Sequence, residues 1–501
     1  MSIIDYFIII VYLAVVVYIG YRTGKKETTL HDFFLGGRNM SWRMVMISIY
    51  ATSTSALTFI GVPGAAYGGD FHYLSLVFGS ITGRILIAIL LITPYYQHSV
   101  LTVYQLLHQK FGNYSRKTGA GIFIVTRILA SGVRLAGSAI ALAVIFEIPL
   151  SVAILVISVF AAVYTMMGGI KAVMYTDMIQ FFILLLGAIV ALIMVLIDLP
   201  GGFHQFYSTA SAFGKFEVFN WDFSLNNPEA FFAGTIFGLF VTFAALGTDQ
   251  DLVQRMLTCK KDKDAKLALI LTGFMDIPIV LLFLSIGAGL FVYYQVFPDV
   301  AVNTMKPDHI FPYFIKMVLP VGIKGLVLAG LLATSMSSLD SALNALAQTV
   351  YVDFYSGHES VKTEKRKIDD NRYLVVVFTI LLASVAWLFT QADSVLWIGF
   401  KSVGYTYGSL SGVFLAGIAL KNYKTDIFNA VIMILSIGIV LLSTSIHLDQ
   451  TDTVFIFPWD TSSTLKPTLA WPWGIIIGTC FTFVCIYFTN KLGEKKYEPR
   501  A

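Results

Sequence analysis

Thirteen apolar runs of about 20 residues follow one another along this chain and constrain its fold more than any other feature. An α-helix of this length crosses the hydrocarbon core of a bilayer. We divide the long ninth run into a surface helix near His309–Val318 and a span from about Gly325. The sequence therefore predicts an all-α membrane protein with about 13 transmembrane helices, at approximately 3–22, 41–67, 73–97, 117–147, 150–168, 173–198, 229–252, 266–294, 309–350, 372–390, 394–420, 425–446 and 470–490.

The composition supports a membrane protein and excludes several other classes. Of the 501 residues, 57% are hydrophobic and 13% are charged, whereas soluble proteins carry roughly 25% charged residues. Single soluble cores stop growing at roughly 250–300 residues, so lipid must cover part of this apolar surface. The composition excludes a soluble enzyme, a disordered protein and a disulfide-stapled secreted domain. The three cysteines have no metal-ligand spacing and are interpreted as free thiols.

Basic residues are concentrated in alternate loops, which predicts the orientation. Lysines and arginines cluster after the first run, around residues 255–266 and 362–372, and in the C-terminal tail. Cytoplasmic loops carry the excess of Lys and Arg, so we expect a multi-pass plasma-membrane protein with its N-terminus outside and its C-terminus in the cytoplasm. The chain has no phosphate-binding loop and no catalytic triad, so we predict neither primary ATP-driven transport nor an enzyme.

The second and seventh runs look like broken helices. Five hydroxyl residues lie within Thr52–Thr58, and Gly61, Pro63 and Gly64 follow them. Irregular backbone in a membrane is tolerated where it lines a cavity, and interrupted helices at matching places in two halves indicate an inverted-repeat transporter. The alternative for the second run is a Ser/Thr-lined helix contact with a proline kink. The seventh run is interrupted near Gly247–Gln250, five spans later.

The ninth run carries hard oxygen ligands on one helical face. Ser337, Asp340, Ser341 and Asn344 recur at i, i+3, i+4 and i+7. Hydroxyls and carboxylates suit Na⁺ or another hard cation. The alternative is an interhelical hydrogen-bond stripe, but the buried aspartate favours an ion site.

Three further charges at depth are candidate functional residues, because intramembrane charges are expensive. Asp177 is either an ion ligand or the partner of a cytoplasmic-side Lys or Arg. Arg134, near the middle of the fourth run, either grips a substrate carboxylate or pairs with a buried aspartate. Asp276, before Pro278 in the eighth run, is the obvious rival partner for Arg134.

Several short segments together resemble the solute:sodium symporter family over nearly the whole chain. They occur in the expected order at 32–38, 51–63, 168–169 with 176–180, 249–255, and 320–325 leading to 337–341. The resemblance implies the leucine-transporter-like five-plus-five inverted repeat and Na⁺-coupled alternating access. It implies an N-terminal helix and loop at 1–40, repeats at 41–198 and 229–420 separated by an extracellular loop at 199–228, and two C-terminal helices with a tail at 421–501.

The resemblance also implies ion ligands. The first Na⁺ site of the family corresponds here to Ala51, Thr54, Thr334, Ser337 and Ser338. A second Na⁺ site, present in some members, corresponds to Asp177, Ser337, Asp340 and Ser341. Close relatives have serine where this chain has Asp340, and this second carboxylate either strengthens the site or takes a proton.

For the solute, the chain most resembles bacterial sodium/sialic-acid symporters. That resemblance implies a substrate site at Ser53, Ser55, Thr58, Tyr73, Val77, Arg134 and Thr242. It departs at Val77, where those proteins have a substrate-contacting glutamine. Thr242 and Ala245 stand where sugar-binding members have an asparagine and a gating tyrosine, which weakens a neutral hexose.

We therefore predict a sodium-coupled symporter that imports a small organic solute, with a carboxylate such as sialic acid first and other monocarboxylates next. Its expected partners are Na⁺ as co-transported ion, the solute and the bilayer, without nucleic acid, and we expect the chain to be a monomer. Alternatives are a sodium- or proton-coupled carrier of a neutral sugar or of an amino acid such as proline, or a channel or sensor on the same scaffold.

Overall fold

Helices account for nearly all the regular structure of the protein. The computed structural model describes residues 1–24, 30–166, 169–223, 227, 229–355, 364–390, 395–420, 425–443 and 471–497. Gly168 and some of the basic residues used for the orientation, namely Lys25, Lys26, Lys362, Lys421 and Lys424, lie outside the described residues, as does the end of the tail.

Twenty α-helices, several of them separated by short 3₁₀ or π turns, make up the described part of the chain. In chain order they are α1 (Ile3–Gly24), α2 (Leu30–Leu35), α3 (Trp42–Ser53), α4 (Val62–Gly68), α5 (Leu74–Leu90), α6 (Ile92–Gln97), α7 (Tyr104–Lys110), α8 (Asn113–Phe146), α9 (Leu150–Thr165), α10 (Ile170–Asp198), α11 (Gly202–Ala212), α12 (Phe231–Gly247), α13 (Gln250–Met256), α14 (Asp262–Val296), α15 (Pro307–Met317), α16 (Ile323–Val350), α17 (Glu364–Phe389), α18 (Val395–Ala419), α19 (Asp426–Ser443) and α20 (Trp473–Tyr497).

Many of these helices are long and apolar enough to cross a membrane. Among the described residues there are nine such helices, or up to eleven spans if each of two bent pairs counts as one. The shorter α9 and the more polar α18 occupy the fifth and eleventh predicted runs. Each of the thirteen runs thus contains a helix or a helix pair, while the count of thirteen membrane crossings stays a prediction.

The two bent pairs lie where the sequence predicts broken helices. The axis turns by 62° between Trp42–Ser53 and Leu57–Gly68, and by 68° between Phe231–Gly247 and Gln250–Met256. The ninth run divides as expected, into the short α15 and the long α16. Such breaks leave backbone groups free of the helical ladder in the middle of the bundle.

The bundle encloses α16, which is the most buried of the long helices, with 89% of its most apolar window inside the protein. It packs against α10, α8, α1, α9 and α17. The N-terminal helix α1 is tied to it through Asp5, whose Oδ1 accepts hydrogen bonds from the amides of Gly322 (2.8 Å) and Gly325 (3.1 Å). A carboxylate here satisfies free amides at the start of α16.

Candidate functional site

A cavity of about 210 Å³ lies beside the break between α3 and α4. Its walls come from α3, α5, α8, α12, α14 and α18 and from the turn between α3 and α4. All seven residues that the sequence singles out as substrate-binding line this one cavity, although they come from four separate segments: Ser53, Ser55, Thr58, Tyr73, Val77, Arg134 and Thr242.

The break itself exposes polar backbone to this cavity. Thr54, at the end of α3, has an extended backbone (ψ 113°), and a π turn over Leu57–Gly61 precedes α4. Ser53 donates its hydroxyl back to the carbonyl of Tyr50 at 3.0 Å. Hydroxyl side chains that bond to nearby backbone compete with the helical ladder, and Pro63 cannot donate to it. Local sequence therefore places the break, and the cavity forms beside it.

Four of the five residues predicted for the first cation site, Ala51, Thr334, Ser337 and Ser338, lie where α16 crosses the end of α3, and Thr54 lines the neighbouring cavity. The hydroxyl of Ser337 donates to the carbonyl of Ala51 at 3.0 Å and to that of Thr334 at 3.3 Å. The hydroxyl of Ser338 donates to the carbonyl of Thr52 at 3.3 Å. All of these groups are buried. Carbonyl and hydroxyl oxygens in one buried spot are the ligands that a hard cation prefers.

The residues predicted for the second site lie one helical turn further along α16, around a guanidinium. Arg255 donates from Nη2 to Oδ2 of Asp177 at 3.2 Å and also to the hydroxyl of Ser341, and from Nε to the hydroxyl of Ser48 at 3.0 Å. The hydroxyl of Ser341 donates to Oδ1 of Asp340 at 3.0 Å. Both readings of Asp177 thus have support, because a cytoplasmic-side arginine pairs with it among the candidate ligands.

Two carboxylate oxygens of this cluster have unused hydrogen-bonding capacity. Oδ1 of Asp177 and Oδ2 of Asp340 are buried and meet no donor among the described residues. A buried acceptor without a partner is costly, so such atoms call for a proton or an ion. The Arg255 guanidinium lies among Asp177, Asp340 and Asp251, so the carboxyl groups outnumber it and leave room for further positive charge when they are ionised.

Ion pairs extend from this cluster to the wall of the cavity, a feature that the sequence did not reveal. Arg255 also pairs with Asp251 at 3.0 Å, Asp251 contacts Arg127, and Arg127 lies 3.3 Å from Asp249. The hydroxyl of Tyr407, which lines the cavity, donates to Asp249 at 2.8 Å. Arg127 lies in the same apolar run as Arg134, and a charge in such a run is a signal, but its partners lie more than 100 residues away in the sequence.

Arg134 reaches the cavity without an anionic partner among the residues that the structure describes. It is partly buried, and its Nη1 is buried with no acceptor among the described residues. Its predicted rival partner, Asp276, is instead paired with Arg84 at 2.6 Å and accepts a hydrogen bond from Ser80 at 3.2 Å. Pairing of Asp276 with Arg84 leaves the Arg134 guanidinium available to an anion in the cavity.

Arg84 is a charged residue of the cavity wall that sequence reasoning missed. It is the one charged residue of the third apolar run, on α5, and it lines the same cavity. A lone arginine inside an apolar run of 25 residues is a sufficient signal of function or of a buried partner. Its nearness to Asp276, however, follows from the packing of α5 against α14.

Aromatic side chains separate this cavity from a second one on the opposite side of Tyr73. Tyr73 lies 6.3 Å from Trp397 and 6.4 Å from Phe400, and Trp471 stacks on Phe400 at 6.4 Å between ring centroids. The second cavity, about 310 Å³, is lined by Tyr73, Trp397 and Trp471 and by polar residues that include Asp70, His72, Glu229 and Asp308. We call it the outer vestibule, after the side on which the predicted orientation places it.

Comparison with known proteins gives one consistent family. The profile of the sodium:solute symporter family matches residues 33–426. The sodium/sialic acid symporter of Proteus mirabilis (strain HI4320) is 28% identical over 425 residues, which cover 84% of this chain and 85% of that protein. The human sodium-coupled monocarboxylate transporter 2 is 27% identical over 410 residues, which cover 80% of this chain and 65% of that protein.

Solved structures agree with the sequence relatives. A Na⁺-coupled sialic acid symporter in a substrate-bound, outward-open state superimposes with a TM-score of 0.85 and 26% identity, over 98% of both chains. A nucleobase-cation-symport-1 family transporter superimposes with a TM-score of 0.56 at 12% identity, over 92% of this chain and 95% of that one, which shows a shared fold alone. The predicted all-α, leucine-transporter-like fold class is confirmed.

Proposed function

Because this chain belongs to the sodium:solute symporter family, we propose that it is a sodium-coupled symporter that imports a small organic solute bearing a carboxylate, with sialic acid as the first candidate. The observation that carries the proposal is the unpartnered Nη1 of Arg134 at a cavity beside a broken helix. The family and the structural neighbours are transporters rather than enzymes. The sialic acid symporters among the relatives support this choice of solute.

In this proposal the solute lies in the cavity with its carboxylate on Arg134. A guanidinium binds a carboxylate through two parallel hydrogen bonds, which fixes orientation as well as charge. The hydroxyl groups of Ser53, Ser55, Thr58 and Thr242 bind the solute's polar groups. Tyr73 covers it towards the outer vestibule, and Val77 provides an apolar wall that selects against an extra polar group at that point.

The first Na⁺ binds between the end of α3 and α16, on Ala51, Thr54, Thr334, Ser337 and Ser338. The hydrogen bonds from Ser337 and Ser338 to carbonyls of α3 support this placement, because they already bring the hydroxyl and carbonyl oxygens together. Na⁺ would brace the broken helix against α16 and favour the outward-open form. The solute then closes the entrance, and coupling follows from the different affinities of the two states for Na⁺.

A second cation binds at Asp177, Ser337, Asp340 and Ser341. The two carboxylate oxygens without donors support this site. Because Asp340 adds a carboxyl group, the cation is either Na⁺ or a proton held by that carboxyl. Each positive charge that enters gains about 2.3 kcal/mol from a membrane potential of 100 mV.

The leading alternative solute is another monocarboxylate. The similarity of this chain to the human sodium-coupled monocarboxylate transporter 2 supports this alternative. It would use the same arginine and fewer of the hydroxyl groups. A neutral sugar or an amino acid would leave the Arg134 guanidinium without its anion. A channel or a sensor has no support in the comparisons, and channels line a continuous pore with charge rings or carbonyl filters.

The protein is a multi-pass membrane protein. We place it in the plasma membrane, with its N-terminus outside the cell and its C-terminus in the cytoplasm. We expect it to act as a monomer. The inverted repeats take residues 41–198 and 229–420, so that the two bent pairs open the two repeats. The helix at 1–40 and the helices at 421–501 flank them.

Uptake into proteoliposomes tests the function. We expect sialic acid to accumulate when a Na⁺ gradient is imposed and not when a proton gradient replaces it. Uptake that a proton gradient drives equally well without Na⁺ would contradict sodium coupling. A thermal-shift screen of acidic and neutral solutes, with and without Na⁺, identifies the solute directly, since a ligand that binds the folded state stabilises it.

Substitution of Arg134 tests the anchoring of the carboxylate. Hydrogen bonds to charged groups contribute about 1.5–3 kcal/mol, so Arg134→Ala should weaken solute binding about 10- to 150-fold. Arg134→Lys should restore the affinity only in part, because lysine lacks the planar fork. The matched control is Arg43→Ala, on an exposed arginine of α3. Unchanged affinity of Arg134→Ala for the carboxylate would refute the anchoring role.

A further inference from the structure

Three side chains with metal-ligand chemistry converge beside the outer vestibule, away from the cavity of the proposed solute. Asp70 and His72 lie in the turn between α4 and α5, and Glu217 lies after α11. One ligand atom from each of them lies within 4.8 Å of the other two. Nδ1 of His72 is 2.5 Å from Oδ1 of Asp70. Among the described residues, this is the one group of three or more His, Cys, Asp or Glu side chains that is close enough to hold a metal ion.

The ligand types suit a borderline divalent cation. Zn²⁺ binds imidazole nitrogen and carboxylate oxygen at about 2.0–2.2 Å, and sites with three protein ligands keep water in the fourth position. Tetrahedral coordination at about 2.1 Å places ligand atoms about 3.4 Å apart. Binding would therefore shift the distances between ligand atoms by about 1.4 Å at most, bringing the more distant atoms together and moving Nδ1 of His72 and Oδ1 of Asp70 slightly apart. Asp70 and His72 are partly exposed and Glu217 is exposed, so the ion has access from solvent.

The backbone around these ligands is already joined, which preorganises them. The amide of Phe71, between Asp70 and His72, donates to the carbonyl of Glu217 at 3.1 Å. The ring of Phe71 packs edge-on against Phe216 at 5.3 Å between centroids. Holding the backbone in place before binding reduces the entropy lost when the ion binds.

The neighbouring cation, Lys215, bonds to backbone carbonyls and lies close enough to Asp70 to attract its carboxylate. Its ammonium donates to the carbonyls of Tyr67 and Gly69, both at 2.7 Å, and to that of Ala66 at 3.4 Å. It therefore neutralises the free carbonyls at the end of α4.

We propose that Asp70, His72 and Glu217 form a Zn²⁺-binding site that clamps the outer loop to the turn between α4 and α5. This turn leads directly into Tyr73, which separates the vestibule from the cavity. A bound ion adds a link between two segments that are already joined by the Phe71–Glu217 backbone hydrogen bond, by the hydrogen bonds of Lys215 to the end of α4 and by aromatic contacts. It would thus slow the movement of the entrance, and externally added Zn²⁺ would inhibit uptake.

Direct binding of Zn²⁺ to the full-length protein tests the site without reference to transport. In detergent, without Na⁺ or solute, we expect one Zn²⁺ per chain by calorimetry and a rise in the melting temperature. His72→Ala and Glu217→Gln should each weaken binding about tenfold or more, since even the loss of an outer-shell partner costs 10–100-fold. The matched control is His204→Ala, on an exposed histidine of α11, which should bind as the wild type does. The proposal would be overturned if the wild type did not bind Zn²⁺, or if His72→Ala and Glu217→Gln bound Zn²⁺ as tightly as the wild type does.

The inhibitory part rests on the proposed transport function and is measured separately. External Zn²⁺ should reduce Na⁺-driven uptake by the wild type, and each ligand variant should lose this inhibition relative to its own uptake without metal. A wild type that binds Zn²⁺ and transports at an unchanged rate would refute the clamp. A preparation that binds Zn²⁺ but shows no Na⁺-driven uptake at all would instead contradict the proposed function.

Discussion

At the scale of single residues, Arg84 and Arg134 line the same cavity but differ in whether a described carboxylate of the protein pairs with them. Arg84 is paired with Asp276 at 2.6 Å, whereas Nη1 of Arg134 has no acceptor among the described residues. A buried cation with a partner is a structural element, and one without a partner demands an external anion. The same residue type therefore has different roles, which only the position of Asp276 decides.

The Arg84–Asp276 pair leads to a stability prediction. Asp276→Ala removes one partner and leaves Arg84 nearly buried and uncompensated, which costs about 3–5 kcal/mol in comparable pairs. The double change Arg84→Met with Asp276→Leu should recover most of this loss. Thermal unfolding in detergent measures both. If the double variant were no more stable than Asp276→Ala, the loss of the ion pair would not be the cause of the lower stability of Asp276→Ala.

Ser338 tests the first ion site at the same scale. Its hydroxyl donates to the carbonyl of Thr52 at 3.3 Å, and Ser338→Ala removes one proposed oxygen ligand. We expect the Na⁺ concentration for half-maximal uptake to rise about tenfold, as for the loss of roughly 1.4 kcal/mol of binding. Ser335→Ala is the matched control, because that hydroxyl bonds to Leu331 within its own helix. A wild-type Na⁺ dependence in Ser338→Ala would show that Ser338 is not a ligand.

At the scale of helices, glycine allows α5 and α12 to pack closely. A Cβ on Gly79 would lie 1.8 Å from the carbonyl oxygen of Thr235, and one on Gly238 would lie 2.2 Å from that of Leu76. Small residues at helix interfaces let backbones approach, which is the main means of association between helices in a membrane. This contact positions Thr242 and Val77 on facing walls of the cavity.

Gly79→Ala should therefore destabilise the protein and reduce uptake, because the backbone of α12 cannot yield to the added methyl group. Gly121→Ala is the matched control, since no atom lies within 4 Å of its Cβ position on α8 and alanine is the better helix former. The melting temperatures of both variants measure the difference. Equal melting temperatures would contradict the close packing of α5 and α12.

The helix breaks were predictable because their causes are local. Hydroxyl residues, glycine and proline weaken the helical ladder within a few residues of where they stand. Short helices such as α13 were not predicted as separate elements. Arg255 lies on α13 and occupies the centre of the predicted second ion site, and no local pattern indicates which distant carboxylates it meets.

At the scale of the whole molecule, buried charges connect the two proposed binding regions. Ion pairs and one tyrosine hydrogen bond run from the cavity wall at Tyr407 to Asp177 beside α16. Energetic coupling between sites travels through such contiguous networks when they have two arrangements. Binding of a cation at one end would thus alter the charge balance at the other end.

The orientation gives a prediction for the complete chain. A tag at the N-terminus should react with a membrane-impermeant reagent in intact cells, and a tag at the C-terminus should react only after permeabilisation. The physical reason is the retention of basic loops on the cytoplasmic side. The reverse labelling pattern would contradict both the orientation and the placing of the vestibule and its Zn²⁺ site outside.

The sequence by itself determined the helical membrane fold, the places of the breaks and the residue types that bind cations and anions. These follow from hydrophobic length, helical periodicity and backbone chemistry, which act over short stretches of chain. Only the tertiary structure decided which charges meet: Asp276 pairs with Arg84 rather than Arg134, Arg255 lies between Asp177 and Ser341, and Glu217 approaches His72. Arg255 and Asp177 are 78 positions apart in the sequence, and Arg84 and Asp276 are 192 positions apart. These pairings depend on how whole helices and loops pack rather than on any local pattern.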